Sequence, residues 1–414
     1  MNRGLILVRA PRFGSFWLAS FVSNIGGWAQ QIARPWVLLD LGASPSLVGL
    51  DAFALSAPLW LMTVIGGVVA DRSDRRPLIA ALQSAQMLCP ILLLTLLAAR
   101  AVQPWQVIAL SLVTGTAEAL TLPALSNTVF GLVGRERLAS GLALNAAQYN
   151  IARVAGPMIA SALLARGGLH ACFLLSAASG IPLLIATWRA PPHDRARPAM
   201  TVAARGTCRR ESFSDVILDP RLRGVLVTIG VAGVLCGPLL VFTPVLVKNV
   251  LHGHSAQFGE AVAAFGWGGI GGAAGLLILN TPTNRRSLCS RFAALYGLAV
   301  GAAGLVSSAT ALSAVLVLAG IATTFTNTLA LGVLQADAPE HLRGRAVGLF
   351  TLALRGGIAV GGLVTGLAIH LVGVRSALLV NGALAVALQL VVGRGWMRDR
   401  LPLPSHSGLS NGAA

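Results

Sequence analysis

Charge is scarce in this chain. Of 414 residues, 11% are Asp, Glu, Lys or Arg and 55% are hydrophobic; soluble domains carry roughly a quarter charged residues. A water-soluble globular fold is excluded, because so few charged groups cannot cover its surface. Acid is the scarcer sign, with 14 Asp and Glu against 31 Lys and Arg, and only one of those cations is a lysine, Lys248. Aromatic residues make up 6%. Five cysteines (Cys89, Cys172, Cys208, Cys236, Cys289) lie scattered with no C-x-x-C pair, which argues against a disulfide framework or a thiolate metal site. They read as free thiols that fill space. No G-x-x-x-x-G-K phosphate loop, H-E-x-x-H pair or supported Ser/His/Asp set occurs, so neither ATP drive, a metal, a cofactor nor an enzyme is expected.

Apolar length is what the chain has instead. A bilayer crossing needs roughly 20 mainly apolar residues. Windows of that size fall near 13–39, 47–70, 77–99, 104–130, 141–164 and 171–188, then near 225–247, 257–279, 288–308, 312–334, 346–372 and 376–392. The expectation is an all-α polytopic membrane protein of twelve transmembrane helices, its partner the lipid bilayer. Glycine, at 47 residues, suits close helix packing in lipid. The first segment is expected to be retained as a helix, since charge precedes Phe13 but no small-residue cleavage site follows.

A net charge of +17 raises the question of nucleic acid. Placement answers it: the cations stand at segment ends, not along one soluble face. With both termini cytoplasmic, the inner loops, termini and central linker hold 24 of the 31 cations. The outer loops keep Arg100, Arg166, Arg375 and Lys248. Under the positive-inside rule only an even number of spans in this phase gives that asymmetry. The localisation expected is the cytoplasmic membrane, multi-pass, with no nucleic-acid partner.

The two sets of six segments echo each other. Leu144, Gly156 and Gly168 recur 205 residues on as Leu349, Gly361 and Gly373, each set after a basic loop, and Arg75-Arg76 has a counterpart in Arg285-Arg286. Thr281 stands where a second Asp71 would fall. Two six-helix pseudo-repeats are expected; a bundle with unrelated halves is the alternative. The organisation is then a bundle over 1–188, a cytoplasmic linker over 189–223, a second bundle over 224–396 and a disordered tail over 397–414. The linker holds Pro191, Pro192 and Pro198, with many charges and no hydrophobic period, and reads as a tether whose 212–218 stretch could lie on the lipid surface.

The charged turn between the second and third segments carries the most specific pattern. Its spacing, Gly67-x-x-x-Asp71-Arg72-x-x-Arg75-Arg76, resembles the loop between helices 2 and 3 of the major facilitator superfamily. Asn150-Ile151-Ala152-Arg153-Val154-Ala155-Gly156-Pro157 resembles the antiporter motif of exporters in that superfamily, although Ala160 and Ser161 replace its usual glycine pair. With Ser23-Asn24-Ile25-Gly26-Gly27-Trp28 and Leu342-Arg343-Gly344-Arg345, the chain resembles the enterobactin-exporter-like and macrolide-efflux-like branch from about Phe13 to Val392. The resemblance implies the major facilitator fold, with Asp71, Arg72 and Arg76 latching one of two alternating states and Gly67 permitting close helix contact. Asp74 departs from the glycine that many members carry there. A loop whose arginines only set topology is the plainer reading. The resemblance also implies export of a siderophore or drug-like natural product by proton antiport. An importer of the same fold and a non-transporting receptor or assembly subunit remain as rivals, and a monomer is expected.

Charges within spans are costly, and each is a functional candidate. Glu118 and Arg153 lie at similar depth, within roughly one helical turn, so they either form an ion pair or leave Glu118 to carry a proton. Arg34 and Arg355 either hold an anionic substrate group with the guanidinium fork or snorkel to a face. Together they tilt the expected substrate toward acidic groups. Asp51 is a second proton candidate or an interfacial acid. Asn24, Gln30, Gln31, Asn145, Gln148, Asn327 and Gln335 could line a cavity; His252, His254 and His370 read as surface groups.

Overall fold

The computed structural model describes residues 7, 9–72, 75–134, 137–189, 213–279, 285–339 and 342–398. The linker between 189 and 213 and the tail after 398 lie outside them. Helix follows helix throughout. We number α1 Pro11–Asp40, α2 Pro45–Arg72, α3 Arg75–Ala98 and α4 Pro104–Val133. Three of these open on a proline, which suits a first turn because its missing N–H would have no partner there anyway.

Leu138–Arg189 is one helical run broken at Gly168, whose φ of 64° and ψ of −163° no helix contains. We therefore number its parts α5 (138–167) and α6 (169–189). Arg343–Arg398 breaks the same way at Gly373, with φ 80° and ψ 162°. Its parts are α11 (343–372) and α12 (374–398). These two glycines stand 205 residues apart, as the sequence pattern has them, and both occupy backbone space that is nearly glycine-only. Replacing either by alanine is expected to cost about 1–3 kcal/mol, read as a lowered unfolding temperature in detergent. An unchanged melting curve would contradict the assigned turn.

Between these runs lie α7 (220–250), α8 Ser255–Ile278, α9 Arg285–Leu305 and α10 Ala309–Asp337. Helix α7 contains two π-turns, Ala232–Cys236 and Leu246–Val250. The first has a local cause. Pro238 has no N–H to give, and the amide of Gly237 reaches one residue further than usual, to the Ala232 carbonyl at 2.9 Å; such bulges relieve a broken ladder. A short unnumbered helix, Phe213–Leu218, buries Val216 and exposes Ile217 and Leu218.

Eight runs among the described residues are long and apolar enough to cross a bilayer. Two of them, of 50 and 52 residues, are the broken runs, each with length for two crossings at about 1.5 Å per residue. Counted as α1 to α12, the architecture is compatible with twelve spans.

The apolar core is not uniform along the bundle axis. Toward the end opposite the basic loops, which we call the distal end, one cluster draws on both sets of helices: Trp36, Leu39 and Val48 join Phe173, Leu246, Phe258, Val306 and Leu378. Toward the basic end the clusters separate. One holds Leu222, Phe325, Val333 and Phe350 of the second set, with Val216 of the short helix that precedes it. Another holds Phe13, Phe16, Val129 and Leu183, all from the first. At the distal end α2 and α11 approach so closely that a Cβ on Gly49 would lie 2.4 Å from the Gly362 carbonyl oxygen.

Candidate functional site

A cavity of about 210 Å³, with many polar side chains on its wall, lies among the first six helices and is closed on one side by α11. Its wall is built from the faces of several helices. Helix α1 contributes Asn24, Trp28, Gln30, Gln31 and Arg34; α3 contributes Gln83 and Gln86, one turn apart; α4 contributes Thr114, Glu118 and Thr121; α5 contributes Tyr149; α6 contributes Ser176 and Ser179; and α11 contributes Arg355 and Ile358.

Arg355 is the centre of this arrangement. Its Nη1 donates to Glu118 Oε1 at 2.8 Å, its Nη2 donates to the Tyr149 hydroxyl, and its guanidinium lies 5.6 Å from the Tyr149 ring centroid. One cation from the second set of helices thereby joins two helices of the first. The pair is half-buried, with 27% and 39% of the two side chains exposed, so it is neither fully screened nor locked away. Glu118 therefore does not pair with Arg153, which was one of the two sequence readings. Equal depth placed the two residues level, but their faces differ. Arg153 stands one turn beyond Tyr149 on α5, with Tyr149, Arg355 and Tyr296 as its electrostatic neighbours.

A second charged chain closes the distal side of the cavity. Arg34 is 2% exposed and donates from Nη1 to Ser111 Oγ at 2.7 Å, and the Ser111 hydroxyl donates to Asp51 Oδ1. Asp51 is also buried, at 3% exposure, so both side chains point into the bundle. Removing one member of such a set leaves a buried charge unmatched, a cost of about 3–5 kcal/mol. Ser111→Ala, which keeps both charges but cuts the link, is expected to cost less, about 1–3 kcal/mol; denaturation of the purified protein reads both.

The neutral polar groups are tied together. Asn24 donates to Gln148 at 3.2 Å, and Gln148 donates to Asn145 at 3.2 Å. Ser176 donates to Gln30 at 3.1 Å, and Gln86 donates to Thr121 at 3.2 Å. Of the residues expected to line a cavity, Asn24, Gln30 and Gln31 do so, whereas Asn327 bonds locally to Thr323 at 3.4 Å. Gln83, Gln86 and Tyr149 carry no motif in the sequence, and Trp28 enters there only within the 23–28 stretch. The i, i+3 spacing of the two glutamines was the one available signal.

Gly156 of the antiporter-like motif does not touch the cavity but abuts its wall: a Cβ there would lie 2.6 Å from Trp28 Cβ. Pro157 follows it inside α5, and Ser161 Oγ donates to the Pro157 carbonyl at 2.6 Å. In the charged turn, the side chains of Gly67, Asp71, Arg72 and Arg75 lie outside the described residues. Arg76 is half-buried, and its Nε finds no acceptor among the described residues.

At the distal end a smaller constellation joins the two sets of helices. Lys248 Nζ lies 2.6 Å from Asp40 Oδ1 and 5.8 Å from the centroid of Trp36. Trp36 in turn stacks on Phe258, with centroids 5.4 Å apart and planes at 18°.

A family described as transmembrane secretion effector, within the major facilitator superfamily, matches residues 4–405. The chain belongs to this family. Members of this transmembrane secretion effector family are membrane transporters, not enzymes. The enterobactin exporter EntS of Citrobacter koseri is 28% identical over 416 residues, covering 97% of each chain. Among solved structures, the nucleoside transporter NupG superposes with a TM-score of 0.72 at 14% identity, over 93% of this chain and 99% of that one. A bacterial homologue of the human lysosomal transporter Spinster, solved inward-facing and unoccupied, gives 0.69 at 16%, over 94% and 99%. At such identities the structures establish the fold alone, and that fold is the transporter fold of the secretion-effector family.

Proposed function

We propose that this protein is a secondary transporter that exports a small organic molecule across the cytoplasmic membrane by proton antiport. Two six-helix halves, 1–188 and 224–396, joined by the 189–223 linker, rock about the cavity, with the arginine-rich end and both termini in the cytoplasm. The observation that carries this reading is the Glu118–Arg355 pair, a titratable contact between the halves at the cavity wall. A proton on Glu118 removes its charge, weakens the tie to Arg355 and so biases one arrangement of the halves over the other.

The unequal core supports alternating access. The halves share one apolar cluster distally and have separate clusters at the basic end, which suits a cavity opening to the cytoplasm. Asp40 with Lys248 and the Trp36–Phe258 stack then close the periplasmic side. Reopening that side requires the basic end to close, the step assigned to Gly67, Asp71, Arg72, Arg75 and Arg76. Asp71→Asn is expected to stop most transport in a protein that still folds and inserts; normal flux would remove the latch role.

The deciding experiment compares metabolites in cells and medium with and without the gene. An exporter mutant accumulates its substrate inside. An importer mutant lacks it, which would reverse the direction assigned here. A monomeric protein in proteoliposomes with an imposed pH gradient should carry out the flux alone; no flux for any solute identified this way would favour a receptor or assembly subunit.

A further inference from the structure

The charges of the two arginines on the wall are already offset, although Arg34 Nε finds no acceptor among the described residues. Arg355 holds Glu118, Arg34 reaches Asp51 through Ser111, and Arg153 does not line the cavity. At the wall itself Arg355 and Glu118 cancel, Arg34 is offset by Asp51 from behind the lining, and an anion seated on Arg355 would have to displace a carboxylate already in place.

What remains on the wall is neutral and directional. Gln31 is exposed to the cavity. Gln86 and Gln83 each commit an amide N–H, at 3.2 Å to Thr121 and 3.4 Å to Ser23, leaving amide capacity at the wall, since each glutamine offers two donors and two lone pairs. Two aromatic side chains stand beside them, and both are held in place. Trp28 fits against α5 because position 156 has no side chain; a Cβ there would come within 2.6–2.9 Å of the Trp28 Cβ, Cγ and Cδ1 atoms. Tyr149 lies two turns earlier on the same helix and is fixed by Arg355.

We infer that the cavity takes an uncharged, ring-bearing, hydroxyl-rich molecule, its ring against Trp28 and Tyr149 and its hydroxyls on the glutamines and on ionised Glu118. This rests on the transport reading above and names its substrate class. A neutral ligand leaves both charge pairs matched. A site built of fixed amides and a carboxylate rewards hydroxyls strongly, because a ligand lacking them leaves polar groups unpaired. Such a ligand also opposes protonation: its hydroxyl donates to the Glu118 carboxylate, and a proton there removes that acceptor. Ligand and proton disfavour one another, as exchange requires, and the opposition is reciprocal. An anion on Arg355 would have the reverse linkage, since it would release Glu118 to take up a proton alongside it. Gly156 is then a positioning residue that seats the aromatic wall.

The test is titration calorimetry on the full-length protein in nanodiscs with four probes: salicin, a neutral aryl glucoside; glucose, which lacks the aromatic ring; benzoate, an anion; and tetraphenylphosphonium, a cation. Salicin is expected to bind about tenfold more tightly than glucose, the factor that one aromatic contact of this kind supplies, and more tightly than benzoate or tetraphenylphosphonium, which carry rings but also a charge and no hydroxyl. Trp28→Ala should remove most of that advantage, and Trp28→Phe should restore much of it. Gly156→Val should mimic Trp28→Ala for salicin while leaving the melting temperature close to that of Trp28→Ala. Tighter binding of benzoate or tetraphenylphosphonium, or salicin binding indifferent to Trp28→Ala, overturns the substrate class. Proton-driven flux absent while salicin binding persists would overturn the transport reading and leave this one standing.

Discussion

Glu118→Gln is expected to abolish proton-driven accumulation while leaving passive, gradient-independent flux through the cavity. A pH difference of one unit is worth about 1.4 kcal/mol per proton, a tenfold concentration ratio. Vesicles carrying the wild-type protein should therefore build about tenfold accumulation per unit of gradient for each proton exchanged, and the variant none. Glutamine keeps the size of the side chain and one acceptor for Arg355, whose Nη1 now lies 2.8 Å from Glu118 Oε1, so folding should survive. Arg355→Gln provides the opposite arm. It leaves Glu118 charged beside Tyr149, at a cost below the 3–5 kcal/mol of a deeply buried pair because both side chains are about a third exposed. Joining the two substitutions separates mechanism from scaffold. If the pair only braces the halves, the double variant regains coupled transport; if Glu118 carries the proton, it does not.

The physical reason why Glu118 was legible but its partner was not is instructive. A carboxylate in the middle of an apolar run is visible at once, because lipid makes it costly. Depth along each helix was also countable. Which way a side chain faces depends on packing against neighbours far away in the chain, and Arg355 lies 237 residues from Glu118. The same limit hid the link from Arg34 to Asp51, since Ser111 between them is an ordinary residue in an apolar span. Neutral polar groups such as Gln83 and Gln86 carry little penalty in a hydropathy scan, so the cavity wall left almost no trace. The helices left a clear one. Each long helix falls on an apolar window, and the Gly168 and Gly373 breaks fall in the gaps left between windows. The charged turn, the most specific pattern in the sequence, has its side chains outside the described residues, and its latch role rests on resemblance and on the flux expected of Asp71→Asn.

Gly49→Val is expected to force the distal end open. A Cβ at position 49 would lie 2.4 Å from the Gly362 carbonyl oxygen and 3.3 Å from Gly366 Cα, both backbone atoms that cannot turn aside, so α2 and α11 must separate. Overpacking of this kind costs typically 1–3 kcal/mol, which would shift a two-state equilibrium by roughly 5- to 150-fold. The Asp40–Lys248 pair is a weaker restraint. With 47% and 31% of its side chains exposed, it is worth about 0–1 kcal/mol, so Asp40→Asn should shift the same equilibrium by no more than about fivefold. Because Lys248 is the single lysine in the chain, it reports on that equilibrium by itself. Its amine is held against Asp40 and over Trp36, and opening the distal end should raise its rate of acylation, followed by peptide mass spectrometry so that the terminal amine is counted separately. The order expected is Gly49→Val well above Asp40→Asn, and Asp40→Asn slightly above wild type. Equal rates in all three would mean that the α2–α11 contact and the ion pair do not hold this end shut, and the distal closure would then have to be carried by the Trp36–Phe258 stack and the apolar cluster around it.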